Sequence, residues 1–260
     1  MTWWGHATVE LQVAGVRLVT DPLLRKQIGF LRSAYDPPPG SLAWRTDVVL
    51  ISHPHRDHLD LPSLARFAPG TRFLVPRGSG WLVRRVVRGP VTELDVGDTI
   101  SVKGVQVRAT HAEHDGRRGA GRTMERTKGP ALGFLVSGTS SIYFAGDTEI
   151  FPGMADIAPQ LDLALLPISG WGLTLAPGHL NPERAAQALT LLGARRAIPI
   201  HWGSLRIAVL WRLGRERFLA AGPDFRAHAR ELAPEVDVVL ALPAEPIQIG
   251  VPGPRPIEHT

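Results

Sequence analysis

The chain has 260 residues, 44% hydrophobic and 20% charged, with a formal net charge of +5 and no cysteine. Without thiols there can be no disulfide, thiolate metal site or cysteine nucleophile, so any metal must be held by His, Asp or Glu. All but three of the 29 basic residues are arginine, scattered instead of gathered into a stripe, which argues against a nucleic-acid partner.

The proportions are those of a soluble globular chain long enough to bury a sizeable core. No apolar run approaches the roughly 18 residues of a membrane span, and no signal-peptide pattern precedes Trp3-Trp4. The expectation is a cytoplasmic protein with no membrane span. No linker or low-complexity tract divides the chain, so residues 1–260 are expected to form one domain.

Residues 9–13 and 16–19 alternate around Ala14-Gly15 and predict a β-hairpin, ended by Asp21-Pro22. A carboxylate there could cap the turn or orient a metal-binding histidine through its free N–H. Residues 22–46, with Pro37-Pro38-Pro39-Gly40, read as a long loop of the kind that is often functional. The apolar run 48–51 predicts a buried strand. It leads into His53-Pro54-His55-Arg56-Asp57-His58, three imidazoles and a carboxylate within six residues. Imidazole nitrogen and carboxylate oxygen are what zinc and similar divalent ions accept.

Short helices are expected over 61–67 and 81–87 around a strand at 73–75, then strands at 91–94, 99–102 and 105–109. The last of these runs towards His111 and His114. Period-two counting puts Val105, Val107, Ala109 and His111 on one face, which makes His111 the ligand choice and His114 the reserve. Residues 112–130, with Arg117, Arg118, Arg122 and Arg126, read as a surface loop, or else as a loop that grips an anionic substrate group.

Strands follow at 132–136 and 141–145, the second ending in Gly146-Asp147-Thr148. Another at 161–166 leads into a loop that includes Trp171-Gly172. Asn181, Pro182 and Gly193 are the cap, first-turn and exit residues of a helix with Ala185, Ala188, Leu189 and Leu192 as its buried stripe. A strand at 197–200 ends in His201-Trp202-Gly203, residues 205–233 read as mostly helical, and strands are expected at 236–240 and 247–250. His179 precedes the capped helix. It either faces the site from the rim or is satisfied by the helix N-terminus.

The segment His53-Pro54-His55-Arg56-Asp57-His58 resembles the H-x-H-x-D-H signature of the metallo-β-lactamase superfamily. The order Trp4-Gly5-His6-Ala7-Thr8, Thr20-Asp21-Pro22, Gly146-Asp147-Thr148, His179-Leu180-Asn181-Pro182-Glu183 and Ile200-His201-Trp202-Gly203 is closer still. It resembles the branch that contains N-acyl-phosphatidylethanolamine-hydrolysing phospholipase D and the L-ascorbate 6-phosphate lactonase-like proteins. The chain departs from that branch in lacking a proline shortly before His111 and in carrying Ser204-Leu205-Arg206 after Gly203.

The resemblance implies an α/β (α+β) fold, a four-layer αββα sandwich with a di-metal site at the sheet edge. It implies two Zn²⁺, with Mn²⁺ or Fe²⁺ as alternatives. His53, His55 and His111 would hold one ion, Asp57, His58 and His201 the other, and Asp147 would bridge them, with Asp21 behind the ligands. Asp57 and His179 are the catalytic candidates, and His6 matches without an assigned role. The implied chemistry is hydrolysis of a small-molecule ester, a phosphodiester or a lactone, by a metal-activated hydroxide. A homo-oligomer is compatible with all of this.

Three other readings fit less well. Iron oxidoreductases on this fold generally place a glutamate where His55 stands. Nucleic-acid phosphodiesterases of the superfamily use an extra domain or arm, and none is evident in the sequence. A silent binding protein would be expected to have lost ligands.

Overall fold

The computed structural model describes residues 1–119, 127–170, 174–207 and 211–249. Arg122, Arg126, Trp171, Gly172 and Gly250 lie outside the described residues. Alternation of apolar side chains in the strands sets the architecture. In Leu161–Pro167, Leu163 and Leu165 point to one cluster while Ala164 and Leu166 point to another. In the first half, Val48 and Leu50 face inward while Val49 and Ile51 face outward. Strands buried on both faces carry continuous apolar runs of this kind.

Two sheets result. The first has six strands in the order Thr2–Trp3, Val9–Val13, Val16–Thr20, Val48–Leu50, Arg72–Pro76, Val91–Leu94, parallel from Val16–Thr20 onward. The second has seven: Asp237–Val238, Ala194–Ile200, Leu161–Pro167, Ser141–Phe144, Leu132–Ser137, Val105–His111, Thr99–Val102. Its first four run parallel and the rest antiparallel.

The sheets face each other across a shared core that includes Leu11, Leu18, Leu50 and Leu74 from the first, and Val107, Phe134, Phe144, Leu165 and Ile198 from the second. Each such side chain, fully withdrawn from water, contributes about 1.5–3 kcal/mol. This core therefore dominates the stability of the sheet pair. Helices Ser41–Arg45, Leu61–Leu64 and Gly80–Arg84 cover the outer face of the first sheet. Helices Pro182–Leu192 and Trp211–Leu232 cover that of the second. The architecture is the four-layer αββα sandwich. Asn181 accepts from the Arg184 amide and Gly193 exits in the left-handed region, as expected for that helix. Gly222 lets Trp211–Leu232 pass close to Trp202, since a Cβ there would lie 2.3 Å from the indole.

Three segments differ from the sequence reading. Residues 22–46 are not wholly irregular: Gln27–Ile28 and Leu31–Ser33 form a hairpin, and Leu31–Ser33 pairs with Leu205–Ile207. The expected helix over 205–233 therefore begins as a strand. Its partner is distant in sequence, which local propensity cannot register. Near the end, the strand is confined to Asp237–Val238, while Pro246 bridges to Thr2 and the Ile247 amide donates to the Met1 carbonyl. Among the described residues no helix is long and apolar enough to cross a membrane.

The topology brings several strand ends to one edge. Val16–Thr20 and Val48–Leu50 run parallel and end at Asp21 and Ser52-His53. Ser141–Phe144, Leu161–Pro167 and Ala194–Ile200 also run together and end near Asp147, Ser169 and His201. Two antiparallel steps give Val105–His111 the same direction as Ser141–Phe144. The sheets meet tightly there, for Leu132 N donates to Ser52 O at 2.9 Å.

Gly146 sits in that contact at φ +64°, and an added Cβ would lie 2.7 Å from Ser52 Cβ and 2.8 Å from Leu132 O. Gly146→Ala is expected to destabilise the metal-free protein by about 2–4 kcal/mol, overpacking adding to a left-handed backbone. Urea unfolding midpoints check this. An unchanged midpoint would mean the junction can relax.

Candidate metal centre

Three histidines from two segments make the first convergence. His53 Nε2 lies 3.0 Å from His55 Nδ1, which lies 3.2 Å from His114 Nε2. Zinc–nitrogen bonds of about 2.0–2.1 Å at tetrahedral angles set ligand nitrogens roughly 3.3 Å apart. The spacing fits a shared cation. On the other side, His58 Nε2 is 3.2 Å from His201 Nε2 and 3.7 Å from Asp57 Oδ2. Asp147 stands between the two groups, its Oδ2 3.1 Å from His58 Nε2 and 3.9 Å from His53 Nε2. Its Oδ1 is 3.3 Å from His201 Nε2, yet is buried and lacks a hydrogen-bond donor among the described residues. A buried carboxylate oxygen in that condition is costly unless a cation meets it.

The rear nitrogens are occupied. His58 Nδ1 donates to Asp21 Oδ2 at 2.7 Å, His201 Nδ1 to Ser169 O at 2.7 Å and His114 Nδ1 to Gly178 O at 2.8 Å. The Ser52 hydroxyl commits its proton to Asp21 Oδ2 at 2.5 Å, so at 2.9 Å it accepts from His53 Nδ1. Each bond fixes a ring and a tautomer with Nε2 free to coordinate. Burial pushes the imidazoles of His53, His55 and His114 below their ordinary range, and that of His201 down to about 3. Burial opposes ionisation of Asp57 and Asp147. His58 with His6, and His201 with His58, nonetheless hold these carboxyls well below the usual range. At His58 burial lowers the pKa, but the carboxylates of Asp147, Asp57 and Asp21 outweigh it and hold the imidazole well above its ordinary range. Neutral imidazole beside ionised carboxylate is the state that divalent ions bind, so an ion there would displace the His58 proton.

The structure separates His111 from His114. His111 Nε2 meets Glu113 Oε2 at 3.2 Å and its ring packs edge-on against Phe151, with the side chain half exposed. The ligand choice made by strand parity thus lies outside the cluster, and the reserve lies inside it. Parity counting fails because the strand stops at His111, and the chain turns so that His114 N bonds Ala112 O at 3.0 Å.

His179 is brought in as well, its Nε2 3.3 Å from Asp147 Oδ2 and its Nδ1 3.1 Å from Ala176 O. Burial opposes the His179 cation, but Asp147 outweighs it and raises the pKa. Asn181, not His179, caps the helix that follows. Asp21 is fully buried against Ser52 and His58, so it orients a histidine as well as closing its strand.

Two residues had no distinguishing signal in the sequence. Arg118 is buried, donating to Pro54 O at 3.0 Å and Leu59 O at 2.7 Å, so it clamps the histidine turn from behind. Arg25 forks onto Asp60 at 2.8 and 2.6 Å, tying the proline-rich segment to the same turn. A cavity of about 590 Å³ opens over His55, Asp57, Asp147 and His179. Ile28, Leu31, Leu61 and Leu175 give it an apolar wall, with Arg25 and Arg117 also lining it.

Comparison with known proteins agrees with the geometry. Residues 16–202 match the β-lactamase superfamily domain. The chain is 32% identical over 228 residues to N-acyl-phosphatidylethanolamine-hydrolyzing phospholipase D 1 of Caenorhabditis elegans, covering 78% of this chain. It spans only 63% of the length of that enzyme and of a Mycobacterium bovis relative, which is 34% identical. A UPF0173 metal-dependent hydrolase of Methanopyrus kandleri is 30% identical over 256 residues, covering 94% of this chain and 97% of its own. A metallo hydrolase structure from Ignicoccus hospitalis superposes with a TM-score of 0.66 at 22% identity, covering 94% and 95% of the two chains. The family match encloses every converging residue except His6, and the chain belongs to the metallo-β-lactamase superfamily.

Proposed function

We propose that the chain hydrolyses an ester bond of a small molecule, a phosphodiester or a lactone, at a pair of zinc ions. The observation that carries this is the grouping of His53, His55 and His114 on one side of Asp147 and of Asp57, His58 and His201 on the other, beneath a cavity lined by His55, Asp57, Asp147 and His179. His53, His55 and His114 would hold one ion, and Asp57, His58 and His201 the other. Asp147, within reach of both groups, would bridge them. The abundance of imidazole suits zinc, while manganese or iron would accept the same donors.

When bound, such an ion pair supplies a hydroxide near neutral pH and positive charge where the transition state becomes negative. The chain's own residues do the rest. Asp21, Ser52, Ser169 and Gly178 keep the rings aimed, so no reorientation is needed during turnover. The apolar wall of the cavity excludes water from one side of the substrate, and the arginines offer the other side a contact for an anionic group. His179, which lines the cavity with its Nε2 3.3 Å from Asp147 Oδ2, would deliver a proton to the leaving oxygen.

Elemental analysis of metal-replete protein should find about two ions per chain, as in two-metal hydrolases generally. His111→Ala should keep both and His114→Ala should lose one. The reverse pattern would return the ligand role to His111. His179→Ala should retain its metal yet lose about 10²–10⁴-fold in kcat on esters with poor leaving groups, and much less on activated ones. Equal losses on both kinds of ester would show that His179 does not serve the leaving group.

A further inference from the structure

His6 converges with Asp57, His58 and His201 but has no part in the chemistry above. It sits in a left-handed turn, φ +49°, directly after Gly5 at φ +101°. Such a backbone is uncommon for a side-chain-bearing residue and persists only where its surroundings fix it. Here three bonds do so. His6 N donates to Ser204 Oγ at 2.6 Å, and its carbonyl accepts from His201 N and Trp3 Nε1, both at 2.9 Å. The ring is buried, its centroid 4.0 Å from that of His201, and its Nε2 is 3.1 Å from Asp57 Oδ2.

We propose that His6 is a positioning residue for the second ion, holding Asp57 by a hydrogen bond and His201 by ring contact and backbone. This rests on the two-ion reading above. An ionised carboxylate only accepts, so His6 Nε2 must be the donor, and a protonated nitrogen has no lone pair for a metal. His6 thus serves the site without ligating. It does for Asp57 what Asp21 does for His58. The turn Trp4-Gly5-His6-Ala7 gains a purpose from this: it delivers one side chain and one carbonyl to two proposed ligands that are 144 positions apart, Asp57 and His201.

Zinc titration against a chromophoric chelator, on wild type, His6→Ala and His6→Gln, tests the role. His6→Ala should weaken one of the two ions by about 10–100-fold, the usual effect of losing a partner behind a ligand, and leave the other unchanged. His6→Gln keeps an N–H donor and should recover most of the loss. Equal weakening in both variants overturns the hydrogen-bond role, as does an unchanged affinity in His6→Ala. Parallel weakening of both ions would mark a general loss of structure and overturn it too. Wild-type protein that takes up no second ion overturns the two-ion reading itself, and the role of His6 with it.

Discussion

The Asp21 carboxylate, withdrawn from water at the end of Val16–Thr20, is the constraint on which the centre is built. Its oxygens accept from the Ser52 amide at 2.7 Å, the Ser52 hydroxyl at 2.5 Å and His58 Nδ1 at 2.7 Å. Burial drives its pKa up, and His58 and Ser52 pull against that. Because the hydroxyl is committed to Asp21, it can only accept from His53. One acid therefore sets the tautomers of two rings, one in each proposed ion site. The rest of the first sheet serves to bring Asp21 and Ser52 together, through the Asp21 amide bonded to Leu50 O at 2.8 Å.

The layers follow from the same requirement. A parallel strand ending in ligands needs both faces covered, and alternation in Val48–Leu50 and Leu161–Pro167 supplies a shared inner core and separate outer ones. Half of the side-chain-bearing residues with positive φ among the described residues lie at this edge. These are His6, Asp21 and His201, each at a point where chain direction and side-chain direction must be set independently. Strain concentrated in that way is affordable only on a well-packed scaffold.

Much of this was legible in the residues. Apolar runs followed at once by His53, Asp147 and His201 are local patterns, and a strand end needs no distant information to be recognised. The hairpin at Ala14-Gly15 and the helix between Asn181 and Gly193 carry their own punctuation. What stayed hidden depends on contacts between remote segments. The pairing of Leu205–Ile207 with Leu31–Ser33, the clamp from Arg118 to Pro54 and Leu59, and the reach of His6 to Asp57 leave no periodic trace. The exchange of His111 for His114 has a narrower cause. Parity is a property of extended chain, and three residues of turn were enough to cancel it.

The cavity walls come from other parts of the molecule than the proposed metal ligands beneath them. Ile28 and Leu31 belong to the hairpin inserted after Asp21, Leu61 and Pro62 to a short helix, and Leu175 and Ala176 to a connection between strand and helix. None of these lies on a strand that ends in a proposed ligand. Surface insertions of this kind can lengthen, shorten or change composition at little cost to the scaffold. The fold is therefore modular in an evolutionary sense: the rims can drift to accept new molecules while the proposed ligands beneath them are inherited intact.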